Sequence, residues 1–503
     1  MMQARFRLLA GAVALALGAA TLPAQADAGG ATRMEKDLLG PKAIPADALY
    51  GVQTACALEN FRISGRTLAD YPELVDGFVL TKIAAAQANA ALGNLEPALR
   101  DAIVRGGEAI LAGSYRDQFL VDPYQGGAGT STNMNVNEVL ANAALLETGH
   151  AVGDYDVVSP LDHVNRSQST NDSYPTALKV AIVSNNDRLV AEIERLVAAL
   201  RAKGEAFSDI LKMGRTEMQD AVPMTLGQEF HAFAAALESE IALIRAYEQP
   251  LLSINMGGTA IGTGLNASAG YAGRTAEFLA ALTGRPYRAA EDLIAATWDQ
   301  QAFLSASAAT RSLAVKLSKI ASDLILLSSG PRAGLGEINL PPQQPGSSIM
   351  PGKVNPVIPE LTNLVAFRVI GNDLAVSLAA RNGQLQLNAY EPLEALAVLE
   401  SQRILNNVMR TLRERCIDGI TANRATMARD IERTVGIVTA LNPLLGYQRA
   451  TELAQQAYRE DLGIVELLRR DGILSEAQIR ALLDPETLTG VKRREAAPAP
   501  QPR

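Results

Sequence analysis

Gly346-Ser347-Ser348-Ile349-Met350-Pro351-Gly352-Lys353-Val354-Asn355-Pro356-Val357-Ile358-Pro359-Glu360 sets two hydroxyls, one ammonium and one carboxamide among glycines and prolines. Gly and Pro weaken helices and strands, and Ser, Lys and Asn are costly to bury without partners, so the mixture suits neither a core nor a regular element. It suits a loop that grips a carboxylate. Lys353 offers a charge, Asn355 a directional donor, and Ser347 and Ser348 hydroxyls beside N–H groups that an irregular backbone leaves free.

Helical patterns surround this loop. Leu189, Ile193, Leu196 and Leu200 step by four, three and four, and Leu313, Leu317, Ile320, Leu324 and Leu327 by four, three, four and three. Such stripes belong to long helices packed nearly parallel, which makes the chain mainly α. Further helices are expected at about 226–247, 360–379 and 393–415. The polar clusters fall in the loops between them, where a rigid scaffold usually carries function.

Composition narrows the classes. The 503 residues are 48% hydrophobic and 20% charged, enough for two or three globular domains. A net charge of −8 and a sequence pI near 5.3 argue against a nucleic-acid partner, which calls for clustered basic surface. Cys56 and Cys416 lie far apart and read as buried small hydrophobes rather than a disulfide or a metal centre. His150, His163 and His231 have no metal-ligand spacing, and no metal site is located. Gly262-Thr263-Gly264-Leu265-Asn266-Ala267 lacks a readable strand-turn-helix setting for a dinucleotide, and Gly126-Gly127-Ala128-Gly129-Thr130 lacks the Lys of a phosphate loop.

The two ends read differently from the body. Arg5 and Arg7 precede an apolar run from Leu8 to about Ala20, and Ala24-Gln25-Ala26 follows as a small-residue cleavage pattern. Residues 1–26 therefore read as a secretory signal, which points to a periplasmic or secreted protein, with a cytoplasmic location as the alternative. The run is too short for a good membrane span, and no membrane partner is expected. Residues 491–503 are a Pro/Ala tail that cannot bury enough apolar area to order itself.

Three more polar motifs stand out: Gly129-Thr130-Ser131-Thr132-Asn133-Met134-Asn135-Val136-Asn137-Glu138, Gln168-Ser169-Thr170-Asn171-Asp172, and Gly214-Arg215-Thr216-Glu217-Met218-Gln219-Asp220-Ala221. With the 346–360 loop, these four motifs resemble, in order, those of the fumarase/aspartase superfamily, whose members cleave C–N or C–O bonds and release fumarate. The resemblance runs from about Arg33 to the high 480s. Gln168-Ser-Thr-Asn-Asp, Gln219-Asp-Ala-Val-Pro and Asn355-Pro-Val-Ile-Pro-Glu look more like the ammonia-lyases acting on aspartate than like fumarate hydratases. A fumarate hydratase is the nearest alternative, and a binding or structural protein that keeps the fold without turnover is the alternative of another class.

The resemblance implies a three-domain fold: an N-terminal helical domain at 31–168, a central long-helix bundle at 169–424 and a small C-terminal domain at 425–490. It also implies a homotetramer whose sites each draw loops from three subunits, and elimination without a cofactor, although some relatives respond to magnesium. By resemblance Ser347 is the catalytic base. Thr130, Ser169, Thr170 and Thr216 would hold the β-carboxylate, Lys353 and Asn355 the α-carboxylate, and Asn171 the amino group. Ser131 and Ser348 add hydroxyls to the substrate-binding set. Short-chained donors lose little rotamer entropy when fixed, which suits them to a charge that develops in the transition state.

Two positions depart from the family pattern. Relatives usually carry arginine where this chain has Cys56, and histidine or glutamine where it has Glu217. A cation is lost and an anion gained, and both changes disfavour a dicarboxylate unless Arg215, Lys353 or a proton on Glu217 compensates.

Overall fold

In the computed structural model, which describes residues 31–489, the body of the chain is a series of helices. They are α1 (Val52–Asn60), α2 (Pro72–Ala91), α3 (Pro97–Leu111), α4 (Thr130–Glu147), α5 (Thr170–Ala206), α6 (Leu226–Glu248), α7 (Tyr271–Thr283), α8 (Ala295–Trp298), α9 (Gln301–Leu327), α10 (Val357–Arg381) and α11 (Glu391–Arg415). Shorter helices follow from Arg424 to Leu488. The secretory signal read in residues 1–26 and the tail read in residues 491–503 lie outside the described residues.

Local chemistry sets where the helices begin. Pro72 and Pro97 take first positions, where a missing N–H costs nothing. Ser169 caps α5 by accepting the Asn171 N–H at 3.2 Å, and Asp172 accepts the Ser169 N–H at 2.9 Å in return. Thr225 and Gln228 form the same reciprocal box on α6. The expected helices at 226–247, 360–379 and 393–415 are α6, α10 and α11, each within a few residues of the expected bounds.

The leucine stripes face inward: every residue from Leu189 to Leu200 and from Leu313 to Leu327 named above is buried. One apolar cluster joins α2 to α4 with the first half of α5, α7 and the start of α11. A second joins the rest of α5 with α6, α9, α10 and α11, and a third gathers the C-terminal helices around Leu453, Ile464 and Leu468. Cys416 lies in the second, where burial pushes its thiol up to about 12. Cys56 is only half-buried, against the expectation, because α1 lies at the surface with Lys42 from the hairpin of β1 (Thr32–Asp37) and β2 (Gly40–Pro45) beside it.

Length gives the bundle two ends. With 37 residues, α5 runs about 55 Å at 1.5 Å per residue. Its N-terminus lies beside α2, α4 and the start of α11. Past its C-terminus come the hairpin β3 (Leu211–Thr216) and β4 (Gln219–Thr225), the segment between α9 and α10, and the C-terminal helices. Contacts bind this far end together. Lys203 Nζ donates to Ile420 O at 3.0 Å, Asn423 N to Glu337 O at 2.8 Å, and Ile338–Asn339 pairs antiparallel with Thr421–Ala422.

One helix stays half uncovered. α10 packs on α9 and α11 through Ala366, Val369 and Val376, while Leu364, Phe367 and Leu374 on its other face are 64%, 61% and 62% exposed. By length and composition α10 is apolar enough to cross a membrane, but its inner face is committed to the bundle.

Candidate active site

At the near end, glycines shape the loop that leads into α4. Gly127 and Gly129 adopt φ of +88° and +86°, and a Cβ on Gly129 would overlap the Tyr174 ring. Thr130 then opens the helix, exposed, with its N–H and hydroxyl both donating to Gly127 O at 3.1 and 2.8 Å. Ser131 is half-buried beside it. Ser169 is the cap of α5, Thr170 is buried at its first position, and the Asn171 carboxamide donates to Ala260 O at 2.7 Å.

A buried polar network fixes these two motifs to each other. The Lys82 ammonium, fully buried in α2, donates to Asn133 Oδ1 at 2.7 Å, Gln168 Oε1 at 2.8 Å and Asn165 Oδ1 at 3.1 Å. Ser173 Oγ donates to the same Asn133 oxygen at 2.9 Å. Burial lowers Lys82 to about 7, opposed by the charge of Asp172. Burial likewise raises Asp172 to about 7 against the N–H groups of Ser169, Thr259 and Gly257 that donate to it. Glu138, the last residue of its motif, is raised to about 7 by burial while it accepts three N–H groups at the start of α1, from Gly51, Gln53 and Thr54.

None of Lys82, Asn165 and Asp172 was among the sequence-based candidates. One signal was available for Lys82, a lone cation inside the apolar run Phe78-Val79-Leu80-Thr81-Lys82-Ile83-Ala84. The glycine-rich stretch near Gly262 forms turns that brace this site, through Ala260 O and the N–H groups of Gly257 and Thr259.

The far end holds the other candidates. Ser347 is half-buried, and its Oγ accepts the N–H of Met350 at 3.0 Å and of Ile349 at 3.2 Å. Gly346 closes the loop: its N–H donates to Lys353 O at 2.8 Å and its carbonyl accepts from Asn355 Nδ2 at 2.9 Å, which makes Asn355 a strut of the loop in this chain. Ser348 and Lys353 are exposed, and the Lys353 ammonium has no hydrogen bond or ion pair among the described residues. An open concavity of about 450 Å³ is lined by Pro345, Ser347, Met350, Lys353 and their neighbours.

Thr216 ends β3, exposed, and the turn after it is Glu217-Met218 with φ of +52° and +66°, the geometry of a two-residue hairpin. Glu217 is exposed, and its carboxylate has no hydrogen bond or ion pair among the described residues. Arg215 turns inward instead, its Nη1 on buried Glu337 at 2.5 Å, and Lys212 binds Glu337 and Glu229 at 2.7 and 2.6 Å. Beside Cys56, Lys42 Nζ lies 3.7 Å from the sulfur and is paired with Glu59 at 2.6 Å.

Within one chain these groups form two clusters. Thr130, Ser169, Thr170 and Asn171 lie at the start of α5, whereas Thr216 follows its end, about 55 Å away along the helix. Ser347, Ser348, Lys353 and Asn355 lie on the segment that shares this far end, between α9 and α10.

Comparisons with known proteins place the chain in a family. Residues 40–371 match a family described as lyase, and residues 437–490 one described as the fumarase C C-terminus. The chain is 53% identical over 458 residues to an aspartate ammonia-lyase of Pseudomonas aeruginosa, covering 91% of this chain and 97% of that one. It is 49% identical over 457 residues to an aspartate ammonia-lyase of Escherichia coli K12, covering 91% and 96%. A fumarate lyase:delta crystallin structure from Brucella melitensis superposes with a TM-score of 0.88 at 48% identity, covering 91% of this chain and 100% of that one. A class II fumarase from Schistosoma mansoni gives 0.84 at 34% identity, covering 91% and 99%. The chain belongs to the fumarase/aspartase superfamily.

Proposed function

We infer that this protein is a carbon-nitrogen lyase that eliminates ammonia from L-aspartate to give fumarate. The observation that carries the reading is Ser347, whose oxygen already accepts two backbone N–H groups in an open concavity that Lys353, without an ion pair among the described residues, also lines. A serine is a poor base unless its alkoxide is stabilised, and two N–H donors with a nearby cation are the groups that do so. The alkoxide takes a proton from the carbon next to the β-carboxylate, and the electron pair moves into that carboxylate as a doubly charged aci-carboxylate. The pair then returns to form the C=C bond while the C–N bond breaks and ammonia leaves. Thr130, Ser169, Thr170 and Thr216 supply donors for the charge that develops, with Ser131 and Ser348 beside them, and Lys353 and Asn355 hold the other carboxylate.

The same reading makes each site a product of assembly. Groups at opposite ends of a helix about 55 Å long reach one substrate only when the near end of one chain meets the far end of another. The uncovered apolar face of α10 supports burial of that helix between copies, as in a homotetramer with sites built from three subunits. We further propose export, from the leader pattern in residues 1–26, and catalysis on the chain's own groups, with magnesium as at most an activator.

The test is the ultraviolet absorbance of fumarate on purified protein given L-aspartate or L-malate, with Ser347→Ala alongside and with and without a magnesium chelator. Fumarate from aspartate, lowered about a thousandfold or more in the variant, is expected. Fumarate from malate alone would make the protein a hydratase, and none from either would refute the lyase reading.

A further inference from the structure

We propose that Glu217 is a specificity-determining residue that receives the ammonium of the substrate and disfavours dicarboxylates that lack one; this rests on the lyase reading above. The turn that carries it follows Thr216 directly, so a ligand held by that threonine meets the Glu217 carboxylate next. Two residues at positive φ make the turn tight and leave its side chains outside the hairpin.

The electrostatics depend on what the neighbouring cations do. Arg215 is the obvious partner in sequence, but its guanidinium is turned inward to the buried carboxylate of Glu337, with Asp220 at 3.8 Å. Lys212, the next cation along β3, is buried between Glu229 and Glu337. Lys353 has no ion pair among the described residues, with Glu217 or with any other carboxylate. Glu337 thus draws in both cations of β3, and the charge of Glu217 is left for whatever enters the site.

An anion there repels a plain dicarboxylate and attracts a ligand that carries a cation. L-Aspartate has an ammonium, while malate, succinate and fumarate have none. The carboxylate that counted against the reaction in sequence becomes, in this geometry, a filter that separates an amino acid from a hydroxy acid of the same shape.

Calorimetric binding to the full-length Ser347→Ala protein, which holds ligands without turning them over, tests this with L-aspartate and succinate. Glu217→Gln is expected to weaken L-aspartate about tenfold and to tighten succinate severalfold, moving their affinity ratio about thirtyfold or more. Glu217→Asp should retain most of the original ratio. Glu217→Asn, neutral and at ease at positive φ, gives the same answer if Gln disturbs the turn. A ratio that stays within twofold, whether neither affinity moves or both move together, overturns the proposal. A shifted ratio in a protein whose Ser347 form makes no fumarate from L-aspartate would refute the reaction and leave the filter standing.

Discussion

Glu394 lies fully buried near the start of α11, and neither of its carboxyl oxygens has a hydrogen-bond partner among the described residues. Its charged neighbour is Glu391, which accepts from Gln300 Nε2 at 3.3 Å and faces Lys179, whose ammonium donates to Ser253 O at 2.8 Å. Burial, and then the charge of Glu391, raises Glu394 from 4.5 to about 9. An acid whose pKa is raised on folding holds its proton more tightly in the native state. Its contribution to stability is therefore complete below the unfolded value and is lost as pH rises through the folded one. From about pH 6 to pH 8 the loss is two pKa units, roughly 2.7 kcal/mol per chain. Glu394→Met, similar in length and apolar, removes the titrating group. With an unfolding entropy of about 2 cal/mol/K per residue over the roughly 450 described residues, the unmodified protein should lose about 3 °C more in Tm than the variant between these pH values. Thermal unfolding followed by circular dichroism at both pH values measures this. Parallel pH dependence in the two proteins would refute the argument that an unpaired buried carboxyl governs this region.

Further expectations follow from the site and its assembly. Co-expressing Ser347→Ala with Asn171→Ala, each inactive alone, should restore fumarate production to about a quarter of the normal level, since mixed assemblies pair an intact near end with an intact far end; no recovery would mean that one chain supplies both. Gly346→Ala would place a Cβ 2.7 Å from Lys353 O and 2.9 Å from Asn355 N, so kcat should fall about a hundredfold or more while the thermal midpoint moves little, a split read by steady-state kinetics beside calorimetry. Phe367→Glu should split the assembly and abolish activity together, and light scattering that finds the assembly intact would count against α10 as its core. Intact mass of the protein secreted by its host should correspond to a chain beginning near Asp27 if residues 1–26 are removed as a leader.

The bundle was readable because its helices announce themselves at every turn: Leu189 to Leu200 and Leu313 to Leu327 repeat a spacing that only a packed helix uses, and every one of those residues is buried. The polar motifs were readable for a different reason. Residues such as Ser347 and Lys353, set among Gly and Pro, fit no core or regular element, which left a ligand as their explanation. The partners of those motifs could not be read in the same way. Lys82 meets Asn133 and Gln168 across separations of 51 and 86 residues, and Arg215 meets Glu337 across 122, pairings that no local pattern encodes. Sequence alone offered Arg215 as a neutraliser of Glu217, and it took the fold to show that Arg215 is already engaged elsewhere.

The length of α5 has a kinetic meaning. If the start and end of this helix serve different sites, a lone chain holds only parts of each, and a newly made polypeptide is silent toward its substrate until it meets other copies. Activity would then fall on dilution more steeply than the amount of protein does, and recover on concentration. A chain carried unfolded across a membrane would consume no aspartate on the way, and its chemistry would begin only where enough copies accumulate.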